Sequence, residues 1–210
     1  MNLFEYLKVS EGLVDSGGHQ EADCIICLAF GRNDIEDNDL GLLGFMAERL
    51  DDPKMIEIIN NSFFDPGLPN IKLAERVQEL MLKHSFPALL QWEVAVALDR
   101  DFYENHKDQV FIIWPPKACK KGFNSKEVLE KAIEIMDLKD FNIPILLAHK
   151  LHIKRVVALW EAMVEEKPVV VNSFVELFDE GSVQDRTRDR KTWRRKEFLV
   201  RIHHWIFGWV

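Results

Sequence analysis

The stretch LLAHKLHIKRV, residues 146–156, sets His149, His152 and Arg155 at intervals of three just behind an apolar run. In the first turn of a helix, residues three apart share a face. Arg155 so placed would pin a phosphate or carboxylate, helped by free N–H groups at the helix start. A histidine there would serve as hydrogen-bond donor, general acid or general base. Zinc needs a third and usually a fourth ligand, and only distant carboxylates such as Glu93 or Glu127 are on offer. The anion reading is therefore carried forward without a metal ligand. A purely structural hydrogen-bonding role for either histidine stays open.

Comparable groups stand behind other apolar runs. Gly31, Arg32, Asn33 and Asp34 follow ADCIICLAF, and Gln91, Trp92 and Glu93 follow the run that begins at Phe86. Lys117, Asn124, Ser125 and Glu127 come after QVFIIW, and Asn172 and Ser173 close KPVVVNS. Glu93 and His152 are the candidates for proton transfer. Gly31, Arg32, Asn33, Asn124, Ser125, Glu127, His149 and Arg155 are the candidates for holding a ligand. Each has a plainer explanation beside it. Asp34 and Glu93 suit helix N-termini, where a carboxylate meets the positive end of the dipole. Asn124 or Ser125 serves as an N-cap, and Arg32 suits an exposed loop.

These residues need elements to position them. The runs at 22–30, 86–91, 109–114, 143–149 and 167–173 read as five buried strands. Between them lie helical patterns: NIKLAERVQELMLKHS, WEVAVALDRDFYENH, SKEVLEKAIEIMDLK and HIKRVVALWEAM. Residues 2–14 read as a short amphipathic helix ended at Gly17-Gly18, and GLLGFMAERL and MIEIIN read as further helices. Strands alternating with helices predict an α/β fold with a mainly parallel sheet of about five strands, covered on both faces. In such a sheet, ligands bind beyond the carboxyl ends of the strands, where the polar residues above recur. No linker or repeat stands out, so residues 1–210 read as one domain. Its core spans about 20–175, and a basic amphipathic extension covers 176–210.

Composition narrows the function. The net charge of -8 argues against a nucleic-acid partner. No apolar run approaches a membrane span, and the N-terminus lacks the pattern of a secretion signal. Cys24, Cys27 and Cys119 form no disulfide framework. Cys24 and Cys27 lie three apart in a strand and so point to opposite faces. These features point to the cytoplasm. The GxGxxG, GxxxxGK[ST] and GxSxG signatures are absent, which disfavours a tightly cradled dinucleotide and leaves no particular cofactor indicated. The C-terminal helix carries RTRDRKTWRRKEFLVR. Its stripe Phe198, Ile202, Trp205, Trp209 predicts packing on the core with the charges in water, and a peripheral membrane contact remains the alternative.

Four motifs, in this order and spacing, give the chain a resemblance to the SanA/YdcF/ElyC-type bacterial proteins, a family catalogued as a domain of unknown function. LAFG (28–31) resembles the end of the family's first strand, and QWEVAVAL its Glu-led helix, with Glu93 matching. NSKE (124–127) resembles its NxxE element. LLAHKLHIKRV resembles its strand followed by HxxR, with His152 and Arg155 matching. The likeness covers about residues 20–175. Where the family usually has a Gly-Gly turn after the second strand, QWE follows directly here, and Phe123 stands where a threonine is usual. Many relatives carry membrane spans. The resemblance implies a three-layer Rossmann-like sandwich with a polar site that includes Glu93, Asn124, Glu127, His152 and Arg155. It also implies a nucleotide-like or phosphorylated ligand and a link to envelope upkeep.

The chain is thus expected to bind a small anionic molecule at the strand ends, as a hydrolase or transferase. The alternatives are a module that binds without turnover, or an envelope-associated interaction protein working through its basic C-terminal helix.

Overall fold

The computed structural model describes residues 6, 20–31, 65–115, 124–171, 175–182 and 184–209. At its centre is a parallel sheet of five strands: β1 (Cys24–Cys27), β2 (Ala88–Gln91), β3 (Val110–Ile113), β4 (Pro144–Leu147) and β5 (Val169–Val170). Each falls inside one of the apolar runs. The order across the sheet is β3-β2-β1-β4-β5. Ile25 pairs with Ala88 on one side and Ile145 on the other. All residues of β1, β2, β4 and β5 are buried, as a sheet covered on both faces requires.

The described residues form six α-helices: α1 (Leu68–His84), α2 (Trp92–Ala95), α3 (Arg100–His106), α4 (Ser125–Lys139), α5 (Ile153–Met163) and α6 (Arg190–Ile206). On one face Ile25, Cys27, Leu90 and Leu147 pack with Leu73, Val77 and Leu80 of α1. On the other, Cys24, Ile26, Leu89 and Leu146 pack with Leu129 and Ala132 of α4 and Val156, Leu159 and Trp160 of α5. Alternation along each strand thus divides the core into two layers and makes a Rossmann-like sandwich. Cys24 and Cys27 fall in opposite layers as free, buried thiols. Burial raises the pKa of both.

Two expectations change. WEVAVALDRDFYENH is two helices, because Asp99 accepts the Phe102 N–H at 2.9 Å and starts α3 anew. The inward stripe of α6 is Trp193, Glu197, Arg201 and His204, and Phe198 and Trp205 are exposed. The reason is that the polar groups of this stripe have partners inside. Arg201 donates from Nε to Glu197 at 2.9 Å and from Nη1 to the Tyr6 carbonyl at 2.6 Å. The Tyr6 hydroxyl lies 3.1 Å from His204 Nδ1. A buried guanidinium is tolerated only with such compensation.

No helix among the described residues is long and apolar enough to cross a membrane. The helices read at 2–14, GLLGFMAERL and MIEIIN lie outside the described residues, Tyr6 excepted. So do Arg32, Asn33, Asp34, Lys117, Cys119, Asn172 and Ser173.

Candidate functional site

The strand order reverses between β1 and β4, the place where an open parallel sheet holds its ligands. A cavity of about 70 Å³ is lined there by Phe30 and Gly31 after β1, by Gln91 and Glu93 after β2, and by Asn124 and Ser125 ahead of α4. His152 and Arg155 at the start of α5 form a further wall. The last wall comes from the C-terminal segment, through Gln184, Thr187 and Trp193.

Backbone hydrogen bonds hold the β1 exit in place. The Ala29 N–H donates to Gln91 Oε1 at 3.0 Å, and the Phe30 N–H donates to Asn70 Oδ1 at 2.8 Å. Asn70 Nδ2 donates in turn to the Gly31 carbonyl at 2.8 Å and the Pro66 carbonyl at 2.6 Å. Gly31 has φ +73°, and a Cβ there would sit 2.4 Å from Thr187 Oγ1. Glycine is what lets the C-terminal segment close over this strand end.

At the start of α4, Asn124 Oδ1 accepts from the Lys126 N–H at 3.0 Å and the Glu127 N–H at 3.1 Å. Glu127 Oε2 accepts from the Asn124 N–H at 3.0 Å. This reciprocal capping box engages Glu127, which stands beside the cavity without lining it. It leaves the Ser125 hydroxyl out of the cap, and Ser125 Oγ lies 3.0 Å from His152 Nε2.

The turn into α5 is tight. The His149 carbonyl accepts the N–H groups of His152 at 2.7 Å and Ile153 at 3.0 Å, and the His152 carbonyl accepts those of Arg155 at 3.0 Å and Val156 at 3.3 Å. Four of the N–H groups at this helix start are therefore bonded within the turn, which leaves charge recognition mainly to the side chains.

His149 is apart from the cavity. Its ring stacks on Phe30 with centroids 3.6 Å apart and meets Phe178 edge-on at 5.3 Å. Nδ1 accepts from the Leu151 N–H at 3.3 Å, so Nε2 carries the proton and donates to the Leu177 carbonyl at 3.1 Å. Burial pushes its pKa down to about 4, so the ring is neutral at pH 7. It ties the exit of β4 to residues 175–178.

Glu93, His152 and Arg155 are all buried. Arg155 Cζ lies 5.8 Å from the Trp193 ring centroid, and Trp193 meets the His152 ring edge-on at 5.8 Å. Glu197 Oε1 is 3.5 Å from Arg155 Nε and 2.9 Å from Arg201 Nε. Among the described residues, Trp193 Nε1 has no hydrogen-bond acceptor, and Arg155 Nε has none within hydrogen-bond geometry, Glu197 being its ion-pair partner. Buried donors of this kind are rare in folded proteins and call for an explanation.

The fold thus gathers Gly31, Glu93, Asn124, Ser125, His152 and Arg155 around one cavity. Sequence reasoning missed Gln184, Thr187, Trp193 and the Glu197 contact. The signal for α6 was present: Trp193, Glu197 and Arg201 recur every four residues, with the Glu-to-Arg order that pairs on one helix face. Among the described residues, no group of three or more His, Cys, Asp or Glu side chains could hold a metal ion. No protein-family model, no curated protein and no solved structure matches the chain, which leaves the resemblance to the SanA/YdcF/ElyC-type proteins resting on its own motifs.

Proposed function

We propose that this cavity takes the anionic end of a small phosphorylated or nucleotide-like molecule, in a bacterial cytoplasmic hydrolase or transferase. One observation carries the reading. Among the described residues, Trp193 Nε1 is a buried donor without an acceptor and Arg155 Nε meets only the Glu197 carboxylate, at 3.5 Å and short of a hydrogen bond, on residues lining the same cavity. An oxoanion supplies acceptors to both, and a guanidinium meets it with a charge-assisted bond. Glu93 lines the same cavity, where a carboxyl group suits a hydroxyl on the same ligand. The family resemblance points to the same ligand class. In a reaction, Arg155 and Trp193 hold the anion, Asn124 borders it, and His152 or Glu93 moves the proton. A module that binds without turnover uses the same residues, and product formation separates the two.

Trp193→Phe tests the reading, because it keeps an aromatic ring in place and removes the N–H together with the five-membered part of the indole. Calorimetric titration with nucleoside monophosphates and inorganic phosphate should show affinity falling about 5- to 10-fold, the worth of one hydrogen bond. The unliganded protein should melt somewhat lower than wild type, because the smaller ring leaves buried space unfilled, so affinity is compared at a temperature where both proteins are folded. Unchanged affinity for every phosphate compound would refute the reading.

A second reading is favoured by the outer face of α6. Phe198, Leu199, Trp205 and Ile206 are exposed there, and Arg194, Arg195 and Lys196 are exposed nearby. Apolar and basic groups together suit an anionic membrane surface. Deleting residues 186–210 would also remove the cavity wall, so Trp205→Ser with Ile206→Ser is the cleaner variant for vesicle sedimentation. Equal sedimentation of variant and wild type argues against membrane contact through this face.

A further inference from the structure

Ser125 is the first residue of α4, a position where a hydroxyl is normally explained by capping. Here capping is complete without it. Asn124 Oδ1 accepts from the Lys126 and Glu127 N–H groups, and Glu127 closes the box on Asn124. His152, at the N-cap position of α5, likewise makes no side-chain cap bond to its own helix. Instead the two side chains meet, Oγ to Nε2 at 3.0 Å, across 27 positions of sequence and on the wall of one cavity. That distance lies within the roughly 2.6–3.2 Å reach of a nucleophile and its base.

The base is held firmly. The His152 N–H donates to the His149 carbonyl, its own carbonyl accepts from Arg155 and Val156, and its ring is packed edge-on by Trp193. The Trp193 Nε1–H lacks an acceptor among the described residues, and Trp193 lines the same cavity. With an ester, this one N–H serves the carbonyl oxygen that gains charge during reaction, and the anionic end is left to Arg155.

We infer that Ser125 is a nucleophile, activated by His152, toward a small carboxylic ester whose anionic end lies on Arg155. The Ser125 Oγ–H proton passes to His152 Nε2 as the Oγ–C bond forms and the carbonyl oxygen becomes an oxyanion. Collapse breaks the bond from carbon to the leaving oxygen, which takes the proton from His152 and departs as an alcohol. Water then repeats the sequence in reverse roles, giving the carboxylic acid and regenerating the serine. Only the placement of the anion rests on the proposed ligand class. The Ser125–His152 pair stands on its own geometry.

A fluorophosphonate tests the pair directly, because Oγ–P bond formation expels fluoride and leaves a stable adduct. Intact-mass spectrometry of the full chain should show one adduct, mapped by peptide analysis to Ser125 and absent in Ser125→Ala. His152→Gln should slow labelling at least about 100-fold. It should also abolish the rise of the labelling rate with pH, while circular dichroism shows the fold retained. Should His152→Gln unfold, the wild-type adduct site and pH profile decide alone. Prior saturation with inorganic phosphate should slow labelling. Labelling of Ser125 without phosphate protection keeps the nucleophile and rejects the anion reading. Phosphate binding with no adduct at Ser125, or with labelling at rates unaffected by His152→Gln, overturns the nucleophile and leaves the anion site standing.

Discussion

Glu197 is the carboxylate that the two inward-facing arginines share, and replacing it by glutamine separates its two effects. Arg201 is fully buried and Arg155 nearly so, and Glu197 Oε1 stands 2.9 Å from the first and 3.5 Å from the second. Glutamine keeps the shape and one acceptor but removes the charge, so two buried guanidinium groups lose their compensation. Breaking such a network typically costs about 3–5 kcal/mol. The retained acceptor places the expected loss at the lower end, about 3 kcal/mol. For a chain of this length that lowers the melting temperature by roughly 6–12 °C. Urea unfolding should show a lower midpoint with an unchanged slope. The second effect has the opposite sign. Freed of its competitor, Arg155 should bind inorganic phosphate about tenfold more tightly, the equivalent of about 1.4 kcal/mol. Phosphate should therefore restore more of the lost stability in Glu197→Gln than it adds to wild type. A loss under about 1 kcal/mol, below the range for a buried pair, would refute the energetic argument. Weaker phosphate binding would refute the competition.

Two further outcomes follow from the walls of the site. Gly31→Ala forces a side chain into φ +73° with its Cβ 2.4 Å from Thr187 Oγ1, so the positive φ alone should cost about 1–2 kcal/mol. Thr187→Gly in the same chain, which also removes the Thr187 Cβ lying 2.9 Å from the added methyl group, should restore part of the ligand affinity, read by titration, but not the backbone cost, read by urea unfolding. Acid should weaken the fold through His149, whose pKa is lowered from 6.5 to about 4 by burial. Between those values the unfolded chain takes up a proton that the native ring refuses. This contribution is whole above pH 6.5 and is lost as pH falls toward 4, with about 2 kcal/mol gone by pH 5. His204, lowered to about 4 chiefly by burial, adds in the same direction. Urea midpoints at pH 7 and pH 5 should differ less in His149→Phe than in wild type.

The sheet was legible in the sequence because each strand is buried on both faces and leaves an unbroken apolar run. The ends of those runs also located Glu93, Ser125, His152 and Arg155, since ligand crevices lie beyond the strand carboxyl ends. Trp193 and Thr187 were not legible, because nothing local says that residues 176–209 fold back over the first strand. The face of α6 was misread for a related reason. An apolar stripe normally marks the core side, yet here Glu197, Arg201 and His204 turn inward because Arg155 and Tyr6 await them. His149 stood in the ligand set because its type and spacing resemble those of His152. Only the three-dimensional arrangement shows Phe30 and Phe178 enclosing its ring.

Asn70 carries a consequence for how this chain can change. One side chain grips the Phe30 N–H and the Gly31 carbonyl on one side, and the Pro66 carbonyl on the other. The stretch between residues 31 and 66 therefore departs and returns at a single clasp. Two points of the chain 35 residues apart are thus held to one amide group, the strand end at Gly31 and the approach to α1 at Pro66. The clasp acts as a rivet, so the wall of the cavity and the helix behind it can shift only together.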